Sequence, residues 1–335
     1  MITILGPTAC GKTQLAVALA AKLNADIISA DSRQVYRRMD IGTGKDLDDY
    51  IYNGVRIPCH LIDICEPGEK YNVYRYQHDF REVYASLQQQ QRTAILCGGS
   101  GLYIESVLRN YNLPTVPQNP ALRQRLEQYS LAELTTMLQQ LKENNGTVMH
   151  NRTDVDTKQR AIRAIEIEEF ILKEQRGEGT LKSPAEGKGK EGSKPYGVLA
   201  ASVIERGEQG SRYNGVVIGI DIDRDTRRQR ITQRLKQRLE DGMVDEVQQL
   251  LNEGCTPQQL IYYGLEYRYI TQYIIGQLSY QQMVSQLEIA IHQFAKRQMT
   301  YFRGMQRRGT HIQWIDYAMP TEDKVKLIIN TIHSS

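Results

Sequence analysis

The chain has 335 residues, a formal net charge of only +3, five cysteines and no apolar run of membrane-spanning length. That length can bury a full core with room for about two domains. The near-neutral balance excludes capture of a polyanion by the field of the whole molecule and leaves that task to local basic patches. Five cysteines without framework spacing exclude a disulfide scaffold, and a strand beginning at Ile2 leaves no room for a leader, so a cytoplasmic protein is expected.

Residues 2–5 are a short apolar strand candidate, followed at once by Gly6-Pro7-Thr8-Ala9-Cys10-Gly11-Lys12-Thr13, a phosphate-binding loop of the G-x-x-x-x-G-K-[ST] type. From Thr13 onward Leu15, Ala16, Leu19, Ala20 and Leu23 recur on one helical face. In such a loop the glycines let backbone amides turn inward around an anion, and the helix N-terminus adds a favourable dipole. Lys12 brings a mobile positive charge and Thr13 a hydroxyl suited to Mg2+. A second strand at 26–30 ends in Asp31-Ser32. After a helical pattern through Val73, Tyr76, Phe80, Val83, Tyr84 and Leu87, a third strand at 93–97 ends in Gly98-Gly99-Ser100-Gly101 before a helix at 102–108. This alternation predicts an α/β fold, a P-loop NTPase-like parallel sheet flanked by helices. Ligands of such sheets sit at the carboxyl ends of the strands, which gathers the phosphate loop, Asp31 and Ser100 around one crevice.

Three prolines, Pro114, Pro117 and Pro120, break the alternation, and the following stretch reads as helical. Ser130 and Glu133 form a capping box ahead of Leu131, Leu134, Leu138 and Leu141, and another helix is predicted at 157–172. The Gly/Lys/Glu-rich segment 176–212 reads as a linker or surface loop. Apolar alternation resumes at 216–221, a long helix at 280–303 carries Val284, Leu287, Ile291, Phe294, Gln298 and Phe302 on one side, and a last strand is expected at 310–315. The expected organisation is a discontinuous α/β core (1–113 and 213–319), a helical insertion (114–175), the linker (176–212) and a C-terminal helix or tail (320–335).

Positive charge clusters after the strand at 216–221, where Arg227, Arg230, Arg234 and Arg238 share a helical face. Such a face suits a diphosphate or a nucleic-acid backbone; the alternative is a solvated face paired with Glu240, Asp241 and Asp245. Tyr262, Tyr263, Tyr267 and Tyr269 interleave with Arg268, as an RNA-stacking surface would, or as core and rim residues. Cys59, His60 and Cys65 lack the second pair that a zinc site needs. The phosphate loop and Asp31 by themselves suit an ATP-dependent small-molecule kinase as well.

Longer blocks narrow the choice. Asp31-Ser32-Arg33-Gln34-Val35-Tyr36 running on to Gly42-Thr43-Gly44-Lys45 resembles the tRNA dimethylallyltransferase (isopentenyltransferase) family. His60-Leu61-Ile62-Asp63, Gly98 to Tyr103, Asn119-Pro120 with Arg123, Gln159 to Ala164 with Glu166, Arg230-Ile231 with Arg234, and Ala295-Lys296-Arg297-Gln298 with Arg303-Gly304 follow in the family's order. The resemblance implies transfer of a dimethylallyl group from its diphosphate to the exocyclic amine of adenosine 37, beside the anticodon of tRNAs reading codons that begin with U. Implied with it are Mg2+ on Thr13, a diphosphate in Gly6 to Thr13, and Asp31, Ser100 and Arg234 as catalytic residues. Ser100 stands where the family usually has Thr, and keeps the hydroxyl. Contacts to the tRNA anticodon stem-loop are implied for Asp31, Ser32, Arg33, Gln34, Ser100, Arg123, Gln159, Arg160, Ala161, Ile162, Arg163 and Arg268, with dimethylallyl diphosphate as the other partner, no membrane, and a monomeric chain. Glu266-Tyr267-Arg268 departs from the family's usual Gly-Tyr-Arg. A prenyltransferase acting on free adenine nucleotides is a second alternative, though it has no use for an insertion carrying Arg160 and Arg163, nor for Arg123.

Overall fold

The computed structural model describes residues 1–111, 113, 116–145, 152–175, 213 and 215–334; the segment 176–212 read as a linker lies outside them. Two compact units emerge, one comprising 1–69, 76–107 and 213–335 and the other 70–75 together with the described residues from 108 to 175. Among the described residues, no helix is long and apolar enough to cross a membrane.

The larger unit is built on six parallel strands in the order β5-β2-β6-β1-β7-β8. They are β1 (Ile2–Leu5), β2 (Ala25–Ala30), β5 (Cys59–His60), β6 (Thr93–Gly98), β7 (Val217–Asp221) and β8 (Gln313–Asp316), while β3 (Ile51–Tyr52) and β4 (Val55–Arg56) form a separate antiparallel hairpin. Burial explains the composition of the central strands. Ile2, Ile4, Ile27, Ile95, Ile218 and Ile220 join one core with the inner face of α1 (Lys12–Leu23), as a parallel sheet covered by helices requires. In register, Leu5 and Ala30 both lie opposite Gly98, so β1, β2 and β6 end at the same level. A side chain at Gly98 would meet the Ala30 carbonyl oxygen at 2.2 Å.

The last strand starts three residues later than expected because the preceding helix runs on. That helix extends over Tyr280–Arg307, and its closing turn uses Gly309 at φ 96° and a bond from the Thr310 amide to the Met305 carbonyl at 3.1 Å. Thr310 therefore belongs to a helix stop. Phe294, expected on the buried stripe, is 40% exposed, while Met283, Leu287, Ala295, Met299 and Phe302 are buried.

The smaller unit carries α4 (Pro120–Leu126), α5 (Leu131–Asn144) and α6 (Lys158–Gln175), after α2 (Val73–Gln89) and α3 (Gly101–Leu108) in the chain. Ser130 and Glu133 cap α5 reciprocally, the Ser130 amide donating to Glu133 at 2.7 Å and the Glu133 amide to Ser130 Oγ at 3.3 Å. Its hub is Glu166, 2% exposed, which accepts from the Asn119 amide at 2.5 Å and from Arg123 Nε and Nη2 at 2.9 and 2.7 Å, and pairs with Arg163. Arg163 also donates to the Val116 carbonyl at 2.9 Å. Burial opposes ionisation of Glu166, but Arg123, the Asn119 amide and Arg163 together outweigh it and hold the carboxyl below its usual 4.5.

Two outcomes are expected. Gly98→Ala should lower stability by about 2 kcal/mol in denaturant unfolding, because the new methyl presses on strand backbone. Because the folded pKa of Glu166 is depressed, its contribution is complete above pH 4.5 and is lost as pH falls through the folded value. Glu166→Gln should therefore destabilise the chain by roughly 2 kcal/mol at neutral pH, and the gap in thermal midpoint from wild type should close on acidification.

Candidate active site

Just past Leu5 the phosphate loop turns by means of Ala9 at φ 63° and Gly11 at φ 78°, the latter capping α1. Cys10 points inward and is 1% exposed; burial pushes its thiol up against the pull of Lys12, so it packs as a neutral group. Lys12 Nζ lies 3.4 Å from the Pro7 carbonyl. Beside the loop is a cavity of about 430 Å3 whose lining includes Gly11, Lys12, Thr13, Asp49, Arg230 and Arg234. Arg230 and Arg234 come from the next helix, α7 (Arg224–Glu240). Arg230 Nε donates to the Ala9 carbonyl at 2.9 Å and its guanidinium lies over the Tyr317 ring, 5.0 Å from the centroid. Arg234 forms an ion pair with Asp46, and Arg238 approaches the same carboxylate at 3.5 Å. The acid that meets Arg234 and Arg238 is thus Asp46, nearly 190 positions away in the chain, rather than the Glu240, Asp241 and Asp245 of the alternative reading.

Asp31 follows β2 directly, and its Oδ1 accepts the Arg33 amide at 2.9 Å. The Ser32 amide donates to Ser100 Oγ at 3.0 Å, while the Ser100 amide donates to the Ala30 carbonyl at 3.1 Å. Asp31 and Ser100 are thereby tied together at the level where three strands end. Gln34 is turned inward, donating to the Gly44 carbonyl at 2.9 Å and contacting Ser29 Oγ at 3.2 Å. Arg33 stands over the ring of Tyr262, which is 51% exposed.

The loop after Asp31 is held by groups the sequence left without a role. Lys45 is fully buried, and its ammonium donates to the Tyr36 carbonyl at 2.6 Å and to Asp40 at 2.5 Å, and also pairs with Asp63. Glu246, on α8 (Met243–Asn252), accepts the Asp40 and Ile41 amides at 2.7 Å and that of Gly42 at 3.0 Å. Tyr267, on α10 (Leu265–Ile274), donates to the same carboxylate at 2.6 Å, after the short α9 (Pro257–Tyr262). Tyr263 and Tyr267 are buried, so of the tyrosines near Arg268 they belong to the core, whereas Tyr262 and Arg268 face solvent.

A polar residue on a buried stripe is itself a signal of a satisfied partner, and Gln298, on α11 (Tyr280–Arg307), is the instance here. Its Oε1 accepts the Thr8 amide at 2.9 Å and its Nε2 donates to the Gly99 carbonyl at 2.9 Å. His60 is accounted for by Asp26, at 2.8 Å, and burial pushes the Cys59 thiol up to about 12, which speaks for packing roles at the Cys59, His60 and Cys65 cluster.

In the helical unit Arg123 and Arg163 are engaged by Glu166, with 30% of the Arg123 side chain exposed, and Ala161 and Ile162 are 0% and 4% exposed. Gln159 and Arg160 are exposed; Arg160 pairs at 3.1 Å with Asp156 one turn back.

Known proteins resemble this arrangement along its whole length. A family model described as IPP transferase matches residues 34–305. The chain is 54% identical over 334 residues to tRNA dimethylallyltransferase 1 of Parabacteroides distasonis, covering 100% of this chain and 98% of that one. It is 53% identical over 334 residues to tRNA dimethylallyltransferase 2 of Phocaeicola vulgatus, again covering 100% and 98%. The solved full-length tRNA isopentenylpyrophosphate transferase of Bacillus halodurans is 29% identical, with a TM-score of 0.65 and coverage of 99% and 95%. With a phosphate loop, an Asp31–Ser100 pair at the strand ends and full-length relatives of this kind, the chain belongs to the IPP transferase family.

Proposed function

We propose that the chain transfers the dimethylallyl group of dimethylallyl diphosphate to the N6 amine of adenosine 37 in tRNAs reading codons that begin with U, releasing pyrophosphate, and that it works as a cytoplasmic monomer. The observation that supports this reading is that the phosphate loop, with a basic cavity beside it, and the turns carrying Asp31 and Ser100 follow strands that end at one level of the sheet. An adenine amine is a weak nucleophile because its lone pair is delocalised into the ring. As N6 attacks the allylic carbon, Asp31 receives the amine proton; the carbon–oxygen bond to the diphosphate breaks and both phosphates stay in the loop. Charge growing on the departing oxygen is opposed by Lys12, the loop amides and Arg234, which exchanges Asp46 for phosphate oxygen. Ser100 fixes the Ser32 amide and with it the start of the Asp31 turn.

The oxygen donors available in the cavity, Thr13 and the Asp49 carboxylate, fit Mg2+, a hard cation. Burial and the neighbouring Asp46 raise the Asp49 carboxyl, against the opposing pull of Arg234 and a Gln14 hydrogen bond. Mg2+ held there would neutralise the diphosphate.

The target base leaves the anticodon-loop stack at a cost of a few kcal/mol, which contacts to the loop must offset. Gln159 and Arg160 on the helical unit, and Ser32, Arg33 and Arg268 on the larger one, are the exposed or half-exposed groups that suit those contacts.

The reading is tested by supplying labelled dimethylallyl diphosphate with an anticodon stem-loop, free AMP or neither. Label should pass to the stem-loop alone; equal labelling of AMP would favour a nucleotide prenyltransferase, and phosphate transfer from ATP without prenyl transfer a kinase. Asp31→Ala should lower turnover by about 100-fold or more with tRNA affinity nearly unchanged. Arg160→Ala should weaken tRNA binding and reduce the slope of log affinity against log salt by about 1, since its exposed pair with Asp156 is too weak to compete with a phosphate.

A further inference from the structure

Gln298 lies in no phosphate loop and carries no charge, yet it joins the two loops on which the transfer depends. The residue is 8% exposed and uses both ends of its amide, Oε1 for the Thr8 amide and Nε2 for the Gly99 carbonyl, each at 2.9 Å. These partners lie 290 and 199 positions away in sequence. Thr8 belongs to the cradle for the diphosphate. Gly99 precedes Ser100, whose hydroxyl and amide hold Ser32 and Ala30 on either side of Asp31. The fit is close: a Cβ on Gly99 would come within 2.5 Å of Gln298 Nε2 and 3.5 Å of the Gly6 carbonyl. The bridge is polar at both ends, buried at Gly99 and partly buried at Thr8, so breaking either bond leaves a backbone group without its partner.

We propose that Gln298 is a positioning residue for prenyl transfer: by bridging Thr8 and Gly99 it sets the distance between the diphosphate cradle and the Ser100–Asp31 turn. The inference rests on the functional reading above. Its role is to fix geometry, so its loss appears in turnover rather than in the binding of either substrate.

The amide's asymmetry supplies the test. In Gln298→Glu the carboxylate still accepts the Thr8 amide but sets a negative oxygen against the Gly99 carbonyl; a protonated carboxyl restores the donor. Gln298→Met keeps the volume and removes both bonds. Steady-state kinetics on the full chain with dimethylallyl diphosphate and an anticodon stem-loop should show kcat reduced about tenfold or more in both variants near pH 8, with each KM within about threefold of wild type. The ratio of Gln298→Glu to wild-type kcat should then rise as pH is lowered toward about 5.5, because burial beside a carbonyl raises a glutamate's pKa. The Gln298→Met ratio should stay flat. Hydrogen exchange should show the Thr8 amide protected in wild type and Gln298→Glu but not in Gln298→Met. Full activity in a folded Gln298→Met, or a pH-independent Gln298→Glu ratio, would overturn the positioning role. A wild type that is itself inactive would instead refute the functional reading, and exchange at Thr8 would still decide whether the bridge exists.

Discussion

Everything about this site depends on three parallel strands stopping at one level. Leu5, Gly98 and Ala30 lie side by side in register, so the loops that follow them begin from a common line. One turns into the phosphate loop, one into Asp31, and the middle one into Gly99 and Ser100. The absence of a side chain at Gly98 is what allows the middle strand to pass the Ala30 carbonyl so closely. Hydrogen bonds then convert adjacency into a fixed spacing: Ser100 takes the Ser32 amide, and Gln298 joins Thr8 to Gly99. A strand slipped by one residue would reverse the faces of its side chains and separate the base from the cradle.

Electrostatics give the cradle its character. Lys12, Arg230 and Arg234 converge on a cavity that also contains Asp46 and Asp49, so positive charge is present but partly matched before any anion enters. An arginine held by an exposed carboxylate gives up that partner cheaply, since such pairs contribute about 1 kcal/mol or less. The helical unit works differently. Arg123 and Arg163 are fixed on the nearly inaccessible Glu166, where removing a partner would leave uncompensated charge. Basic residues with the same sequence signature thus have two fates, set by what acid the fold brings to them.

Much of the frame could be read directly from the chain. The phosphate loop, the strands at 26–30 and 93–97, and the capping box at Ser130 all carry local signals, either periodicity or turn chemistry. By contrast β5 is two residues long, too short for any pattern, and enters the sheet because Ile27 and Ile28 pair with Cys59 and His60. The start of β8 was obscured because Thr310 is a good strand former that the fold uses to stop a helix. Partners far apart in sequence were also hidden: Asp46 with Arg234, Glu246 with the 40–42 amides, Glu166 with Arg123. Burial of Lys45 and Gln298 was foreshadowed only by polar residues in otherwise apolar or loop surroundings, and naming their partners required the fold.

The central claim is that the diphosphate in this phosphate loop is a leaving group and the acceptor is an adenine amine in tRNA. Nucleoside mass spectrometry of tRNA incubated with the protein, dimethylallyl diphosphate and Mg2+ tests it most directly. The account predicts dimethylallyl-adenosine at position 37 with one pyrophosphate released for each base modified. Unmodified tRNA, or a prenyl group found at another nucleoside, would contradict it.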